Sequence, residues 1–294
     1  MAYFIQQIIN GLSDGMIYAS LGLALVLIYR TTNIANFAQG EMATFSAFLV
    51  WQALAFGLPL WLAFIVAMVL SAIMGFVLYV VLVRPVQYKD ELTIIIVTLG
   101  FFLAFNSASG AIWGFLQKSV PSLFPSGVLF SAASVRIRYD FVGSAILLLI
   151  IALGMYLIFQ KTRIGLALRA AASNATSAKL IGIPFLRMMA IGWGLAAVLG
   201  AISGMLVAPK LTLDPNMMLT VIIYAFAAAV VGGLSSYKGA VVGGMLVGVS
   251  QALSIAYLPW LGSDLAIVVP LVLIMIILIY KPEGLFGSTV VDRV

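Results

Sequence analysis

Residues 60–83 have the sequence LWLAFIVAMVLSAIMGFVLYVVLV, twenty-four consecutive positions without a charged side chain. A helix needs roughly 20 predominantly apolar residues to cross a bilayer. The stretch is apolar on every side of a helix, whereas a strand of a membrane barrel alternates apolar and polar residues over about ten positions. The sequence therefore predicts a transmembrane helix here and excludes a β-barrel.

The composition extends this prediction to the whole chain. Of the 294 residues, 64% are hydrophobic and only 8% are charged, so a water-soluble domain would have too few polar groups to cover its surface. The length allows about eight to ten spanning helices. Because no linker divides the chain, we predict one all-α domain, residues 1–294, a polytopic bundle with nine spans. The apolar segments are Phe4–Tyr29, Ile34–Leu54, Leu60–Val83, Leu92–Leu116, Phe141–Phe159, Phe185–Val207, Asn216–Val231, Ala240–Leu258 and Leu265–Tyr280.

The positive charges predict the orientation of this bundle. If each segment crosses once, the side that holds residues 160–184 carries 11 of the 15 Lys and Arg residues and the other side carries Lys118, Arg136, Arg138 and Lys210. Cytoplasmic loops of membrane proteins are enriched in Lys and Arg. We therefore expect the N-terminus outside and the C-terminus inside.

The residue types that are missing exclude several functions. The sequence contains no cysteine and no histidine, which excludes thiol nucleophiles, imidazole catalysis and the usual zinc sites; we expect neither an enzyme nor a metal site. No lysine directly follows a glycine, so the phosphate-binding loop Gly-x-x-x-x-Gly-Lys is absent. The net charge of +6 is scattered over helix ends and predicts no nucleic-acid partner.

Polar residues in the first two apolar segments are candidates for a translocation pathway. A carboxylate at the bilayer centre costs on the order of 2.5 to 3.5 kcal/mol on insertion scales. The second segment opens with a polar group that lipid would not accommodate, so we expect this segment to be broken or re-entrant and to meet water. The pathway candidates are Asp14, Asn33, Asn36, Phe37, Gln39 and Glu41. For Asp14, a position near the outer interface is the alternative.

The segment Gln160–Pro184 is the longest one predicted to be cytoplasmic. Apolar residues recur in it at spacings of four, three, four and three, which predicts a helix over about Gly165–Ile181 that ends at Gly182 and Pro184. The stripe consists of Ile164, Leu168, Ala171, Ala175 and Ala178.

Small residues at a spacing of four predict close contacts between helices. We assign six glycines to such packing: Gly200, Gly204, Gly232, Gly233, Gly239 and Gly243.

Four stretches resemble one family. Residues 36–41, Asn-Phe-Ala-Gln-Gly-Glu, are similar to the Asn-Phe-Ala-His-Gly-Glu signature of permease subunits of branched-chain amino acid ABC importers, which importers of urea and short amides share. Residues 163–183, the Gly-rich stretch 231–244 and the ending Lys-Pro-Glu-Gly-Leu-Phe-Gly at 281–287 resemble family motifs in the expected order. Gln39 replaces the histidine of many members, so the resemblance gives this position no proton-linked role.

The resemblance implies a multi-pass permease of the bacterial inner membrane that pairs with a second, similar permease. Two cytoplasmic ATPases would bind the ATP, so this chain would hold no cofactor, and a soluble binding protein would deliver the small-molecule substrate. Residues 160–184 would be the coupling loop that docks on the ATPase, through Arg163, Arg169, Ala171, Ala172, Ala175, Lys179 and Gly182. Urea or short amides remain alternative substrates, and an ion-coupled secondary transporter remains the alternative mechanism.

Overall fold

The computed structural model describes residues 1–32, 34–87, 89–132, 135–258, 260, 262 and 264–287. Within these residues the chain forms eleven α-helices, a π-helical turn at Tyr79–Val83, a 3-10 turn at Asp264–Ile267 and one two-stranded sheet. The helices are α1 (Ala2–Thr32), α2 (Gln39–Ala55), α3 (Leu60–Leu78), α4 (Glu91–Trp113), α5 (Tyr139–Lys161), α6 (Arg163–Ser173), α7 (Ala175–Leu180), α8 (Phe185–Leu211), α9 (Leu219–Gly232), α10 (Tyr237–Tyr257) and α11 (Val268–Tyr280). The strands are β1 (Val128–Ala132) and β2 (Val135–Arg138).

Each of the nine apolar segments contains a helix. In the described part of the chain, six helices are long and apolar enough to cross a membrane: α1, α3 with its π-helical turn, α4, α5, α8 and α10. The other three are shorter, with 17 residues in α2, 14 in α9 and 13 in α11. The helical bundle is therefore confirmed, while the count of nine spans and their direction stay predictions.

The chain divides into two compact units. One unit contains Met1–Val26, Phe124–Leu148 and Thr220–Val294, and the other contains Leu27–Leu123 and Leu149–Leu219. We call them the terminal unit and the central unit.

In the central unit, α3 buries mainly small side chains, with Phe64 as the large exception. Ala63, Ala67, Ser71 and Gly75, four residues apart, are buried. Large apolar side chains on the opposite face are exposed: Trp61, Ile65, Val69 and Ile73. Since the sequence is apolar all round, hydrophobicity does not distinguish these faces; size does, because small residues let helix backbones approach closely and large ones can face lipid.

Helix α8 is the packing centre of the central unit. A Cβ atom on Gly75 of α3 would lie 2.5 Å from the carbonyl oxygen of Trp193 in α8. A Cβ atom on Gly204 of α8 would lie under 3.0 Å from the carbonyl oxygen of Ala43 in α2. Helices α2 and α3 are also joined directly, because Ser71 Oγ donates a 2.7 Å hydrogen bond to Ser46 Oγ. The three helices thus touch through backbone and small side chains.

The terminal unit has its own glycine contact. Gly11 and Gly15 of α1 face Gly248 and Gly244 of α10 so closely that an added Cβ at any of the four would lie under 3.0 Å from backbone of the other helix. The spacing of four residues on both helices therefore corresponds to one seam.

The glycine-rich stretch and the chain ending, which lie far apart in sequence, meet in the terminal unit. Leu285 N–H donates to the Val231 carbonyl and Phe286 N–H to the Gly232 carbonyl, both at 2.9 Å. Gly233, between α9 and α10, has φ of +102°, and a Cβ there would lie 2.6 Å from the Gly287 nitrogen. The end of α9 is thus completed by the segment that follows α11.

The loop Gln117–Asp140 contains the one structural element that the all-α prediction omits. Strands β1 and β2 pair antiparallel, with Ser131 opposite Arg136. Gln6 of α1 binds the hairpin edge, since its Oε1 accepts a 2.7 Å hydrogen bond from Arg136 N–H. The prediction failed because β1 is exposed throughout and the alternation of β2 covers only four residues, the shortest run that indicates a strand.

The glycine packing can be tested with two matched substitutions. Gly204→Ala should lower the thermal unfolding midpoint in detergent, because the methyl group meets the Ala43 backbone and overpacking costs roughly 1–3 kcal/mol. Gly154→Ala in α5 is the control, since a Cβ there meets nothing within 4 Å. Its midpoint should stay equal or rise, because alanine favours a helix by about 0.5–1 kcal/mol over glycine. Equal midpoints for the two variants would contradict this account of α8.

Candidate functional site

The polar stretch in the second apolar segment interrupts the helix. Helix α1 ends at Thr32 and α2 begins at Gln39, with residues 34–36 outside any helix and a turn at residues 37–38. Ile34 and Asn36 are buried there. The first residues of the predicted second segment are therefore non-helical and partly buried, while re-entry into the membrane and contact with water stay predictions.

Side-chain hydrogen bonds replace the missing helical ones. Asn36 Oδ1 accepts from Ala38 N–H at 3.1 Å, and Asn36 Nδ2 donates to Gln39 Oε1 at 3.1 Å. Gln39 Nε2 then donates to the Ala196 carbonyl of α8 at 2.8 Å. Gly200 makes room for this amide, because a Cβ there would lie 2.8 Å from Gln39 Nε2. Asparagine stabilises such turns by binding its own backbone two residues on.

The break lies beside the middle of α8. Ala196 follows the first residue of α8 by 11 positions, and Gly200 precedes the last by 11, since the helix is Phe185–Leu211. At 1.5 Å per residue a helix of this length extends about 40 Å, enough to cross a bilayer. Non-helical backbone is tolerated at such depth only where protein surrounds it or water reaches it.

Glu41, in the first turn of α2, is a buried carboxylate. Its residue exposure is 1%. Its Oε2 accepts a long, 3.5 Å hydrogen bond from Asn106 Nδ2 of α4. Its Oε1 is also buried and has no hydrogen-bond partner among the residues that the structure describes. Within the described part of the chain, only Oε2 of this carboxylate therefore has a hydrogen-bond partner.

Asn106 connects Glu41 to the segment between α8 and α9. Its Nδ2 lies 3.0 Å from the Pro215 carbonyl oxygen and 3.0 Å from Asn216 Oδ1. Asn216 N–H donates to Asp214 Oδ1 at 2.7 Å, and Asn216 is exposed. The group runs from a buried carboxylate to an exposed amide. Sequence reasoning missed Asn106 and Asn216, although a lone asparagine within the apolar segment Leu92–Leu116 is a signal of a polar contact.

Aromatic contacts fix α2 beside α4. Trp113 of α4 donates through Nε1 to Gln52 Oε1 at 3.0 Å. Its ring stacks on Phe48 with centroids 4.9 Å apart and packs edge-on against Phe45 at 5.1 Å. These contacts hold the two helices in the register that places Glu41 next to Asn106.

The remaining pathway candidates lie in different places. Phe37 is half-buried in the turn before α2. Asp14 is half-buried in α1 and belongs to the terminal unit, whereas residues 36–41 belong to the central unit. Asn33 lies outside the described residues. A role for these three in transport stays a prediction.

The predicted single helix over Gly165–Ile181 is wrong. The segment forms α6 and α7, separated at Asn174, whose backbone is extended with φ of −152° and ψ of 102°. Asn174 Oδ1 accepts from Ser177 N–H at 2.8 Å and so caps α7. Asparagine competes for backbone hydrogen bonds in this way and favours a helix start over a helix interior. The apolar periodicity continued across the break because both helices pack on α8.

The predicted stripe lies mostly inside the protein. Leu168, Ala171 and Ala178 are buried, whereas Ile164 is exposed. The side chain of Ala175 lies outside the described residues. The exposed side of α6, α7 and the residue after α7 includes four apolar side chains, Leu166, Ala172, Leu180 and Ile181. Leu180 is 84% exposed.

The charged candidates of this segment are at its surface. Arg163 is exposed, and Arg169 is held by Gln160 Oε1 at 3.1 Å and by the Gly165 carbonyl at 3.4 Å. Lys179 lies over the Phe185 ring at 5.2 Å, and Gly182 has φ of +82°, as expected after a helix end. Gly165 permits the tight corner between α5 and α6, because a Cβ there would overlap the Ile158 carbonyl.

These features define a class of protein: an α-helical, multi-pass membrane protein with a polar helix break held inside it. The family is shown by the sequence as a whole. The family model described as "branched-chain amino acid transport system / permease component" matches residues 7–278, and the chain belongs to this family of ABC transporter permeases. It is thus a transport component and not an enzyme.

Similar curated proteins come from bacteria and an archaeon. The high-affinity branched-chain amino acid permease protein BraD of Pseudomonas aeruginosa is 26% identical, over 99% of this chain and 98% of its own length. LivH of Escherichia coli strain K12 is 28% identical with the same coverage. The probable permease protein LivH of Methanocaldococcus jannaschii is 31% identical, over 94% of this chain and 91% of its own. The likeness therefore extends over nearly the whole chain.

The hydrogen-bonded break can be tested through Gln39. Gln39→Leu should destabilise the folded chain by roughly 1–3 kcal/mol, since the buried Asn36 amide then keeps only the Met42 sulfur, at 3.5 Å, as an acceptor. Gln117→Leu, at an exposed position outside the helices, is the control. Thermal unfolding in detergent measures both variants. If Gln39→Leu unfolds at the same temperature as the unmodified chain, the bond to Ala196 does not hold the break.

Proposed function

We propose that this chain is one permease subunit of an ATP-driven importer for branched-chain or other hydrophobic amino acids. A second permease completes the pathway, two cytoplasmic ATPase subunits supply the energy, and a soluble binding protein delivers the substrate. The complex lies in the bacterial inner membrane. The relatives named for branched-chain amino acid transport and the motifs at 36–41 and 163–183 support this assignment.

The break between α1 and α2 is the part of the pathway that this chain contributes. The observation that carries this is the buried Glu41 carboxylate, with one oxygen unpartnered among the described residues, two positions after a helix break beside the middle of α8. A carboxylate at that depth is costly unless water, a cation or a hydrogen-bond donor reaches it. The ammonium group of an amino acid is such a donor, and Phe37 offers an apolar contact nearby.

The orientation follows from the charges. With the N-terminus outside and nine crossings, the cytoplasmic side holds 11 of the 15 Lys and Arg residues, among them Arg84, Lys161, Arg163 and Arg187. The structure supports this topology within the central unit, because the ends of α4 and α8 are followed by segments that pair with each other. The Lys118 and Leu213 backbones form two hydrogen bonds, of 2.8 and 2.9 Å. Both positions are on the outer side in this topology.

The exposed face of α6 and α7 is the surface that docks on the ATPase. The burial of Ala171 assigns it to packing within this chain rather than to that contact. Leu166, Ala172, Leu180 and Ile181 are the exposed side chains that can enter a groove of a partner, with Arg163 and Arg169 at the rim.

Helix α8 can link docking to transport. Helices α6 and α7 pack against α8, with Lys179 of α7 over Phe185 at the start of α8. The middle of α8 binds the break through Ala196. A displacement of the docking segment by ATP-driven closure of the partners would move α8 and with it the hydrogen bond to Gln39. A shift of a packed helix is a known way for one state of a bundle to convert into another.

Glu41→Gln tests the pathway. The substitution keeps the shape of the side chain and removes its charge, so the substrate ammonium loses a charge-assisted contact of about 1.5–3 kcal/mol. ATP-driven uptake of labelled leucine by the reconstituted complex should fall at least about tenfold, since 1.4 kcal/mol corresponds to a factor of ten. The complex should assemble normally.

The same assay with labelled urea tests the substrate class. Glu41→Gln should matter little for a neutral solute, and the unmodified complex should accumulate leucine in preference to urea. Uptake of urea but not of leucine would move the assignment to the urea and short-amide importers. Accumulation by this chain alone, driven by an ion gradient, would establish a secondary transporter.

Ala172→Trp tests the docking surface. Ala172 is exposed on α6, so the larger side chain should leave this chain folded but should block close approach of the ATPase. We expect the ATPase to be lost from the complex purified in mild detergent. Ala132→Trp, an equally exposed alanine in β1, is the matched control and should retain it. Retention by both variants, with uptake intact, would remove the docking role from α6.

A further inference from the structure

A cavity of about 570 Å³ lies in the central unit where α3 ends and α8 begins. One part of its wall is apolar, formed by Phe76, Val80 and Phe185, among others. Another part carries three cations, Arg84, Lys179 and Arg187. We call it the basic pocket. It contains none of the residues Glu41, Asn106 and Asn216, and it shares only Lys179 and Gly182 with the candidate docking residues.

The charges of the basic pocket are all of one sign. None of its lining residues is acidic. The side chains of Arg84 and Arg187 are exposed, and neither forms an ion pair or a hydrogen bond with another residue that the structure describes. Lys179 lies over the Phe185 ring and lines the same cavity as the other two cations. The pocket therefore complements an anion.

The apolar wall continues into the surface that faces lipid. Ile65, Val69, Ile73, Phe76 and Val80 follow one another on α3 at spacings of four, four, three and four, and all are exposed. The stripe ends one turn later at Arg84, the first charged residue after the apolar stretch 60–83. The basic pocket thus lies at the boundary between the apolar and the polar part of the membrane.

We propose that the basic pocket binds an anionic phospholipid, with the phosphate between Arg84, Arg187 and Lys179 and an acyl chain along Phe76 and Val80. An inorganic anion would use the cations alone, and a peptide segment has no reason to continue along the stripe of α3. Basic pockets between transmembrane helices are suited to anionic head groups. The lipid would bridge α3, α7 and α8, and hence the docking segment and the helix that holds the break.

The binding can be measured on the delipidated full chain by native mass spectrometry, with phosphatidylglycerol and phosphatidylcholine of identical acyl chains as probes. Phosphatidylglycerol should bind more tightly to the unmodified chain. In Arg84→Gln/Arg187→Gln its affinity should fall roughly twentyfold to thirtyfold, because each cation near an anionic lipid contributes about a factor of five. Arg84→Lys/Arg187→Lys should retain most of the affinity and shows whether charge, rather than folding, is responsible.

Lys161→Gln is the matched control, because Lys161 is an exposed cation at the end of α5 that does not line the basic pocket. It should bind phosphatidylglycerol as the unmodified chain does. Three results would overturn the proposal: equal binding of the two lipids, an equal loss in Lys161→Gln, or displacement of the lipid by inorganic phosphate at comparable concentration. Displacement by the purified ATPase would assign the pocket to a protein interface and would overturn it as well.

Discussion

The structure of the central unit depends on one constraint, the need to satisfy backbone polar groups where no water surrounds them. A helix does this by itself, but the chain between α1 and α2 leaves the helix beside the middle of α8. Asn36 and Gln39 provide the replacement hydrogen bonds, and Gly200 leaves space for the Gln39 amide. A polar motif can therefore be held inside an apolar bundle without an unpaired backbone at the Ala38 amide.

Close helix contacts in both units rely on glycine and other small residues. Lipid is as apolar as a leucine side chain, so burial of large apolar residues gives little association between helices in a membrane. Where helices approach most closely, the chain places small residues, and α3 directs most of its large side chains outward. The same rule joins α1 to α10 through two pairs of glycines and the end of α9 to residues 284–287. Dispersion contacts and close backbone approach then provide the cohesion.

The polar break, α8 and the helices α6 and α7 form a connected series in the central unit. Gln39 in the break binds the middle of α8, and Lys179 of α7 and the basic pocket lie at the start of α8. A permease needs such a connection, because energy reaches the chain at a surface while the substrate passes through the interior. A rigid 27-residue helix is a suitable element to transmit a displacement between them.

The membrane class, the positions of the apolar helices, the polar break and the family could be predicted from the amino-acid sequence, because each depends on local composition or on a contiguous motif. Which side chains contact one another depends on the fold. Asn106 lies 65 residues from Glu41 and 110 residues from Asn216 in the chain, yet it contacts both, and the buried face of α6 and α7 is set by α8. Local periodicity shows that a helix has an apolar face but not whether that face meets its own chain or a partner. Nor did the periodicity show the interruption at Asn174. The apolar residues keep the same spacing on both sides of this residue, whether it lies inside a helix or caps the start of a new one.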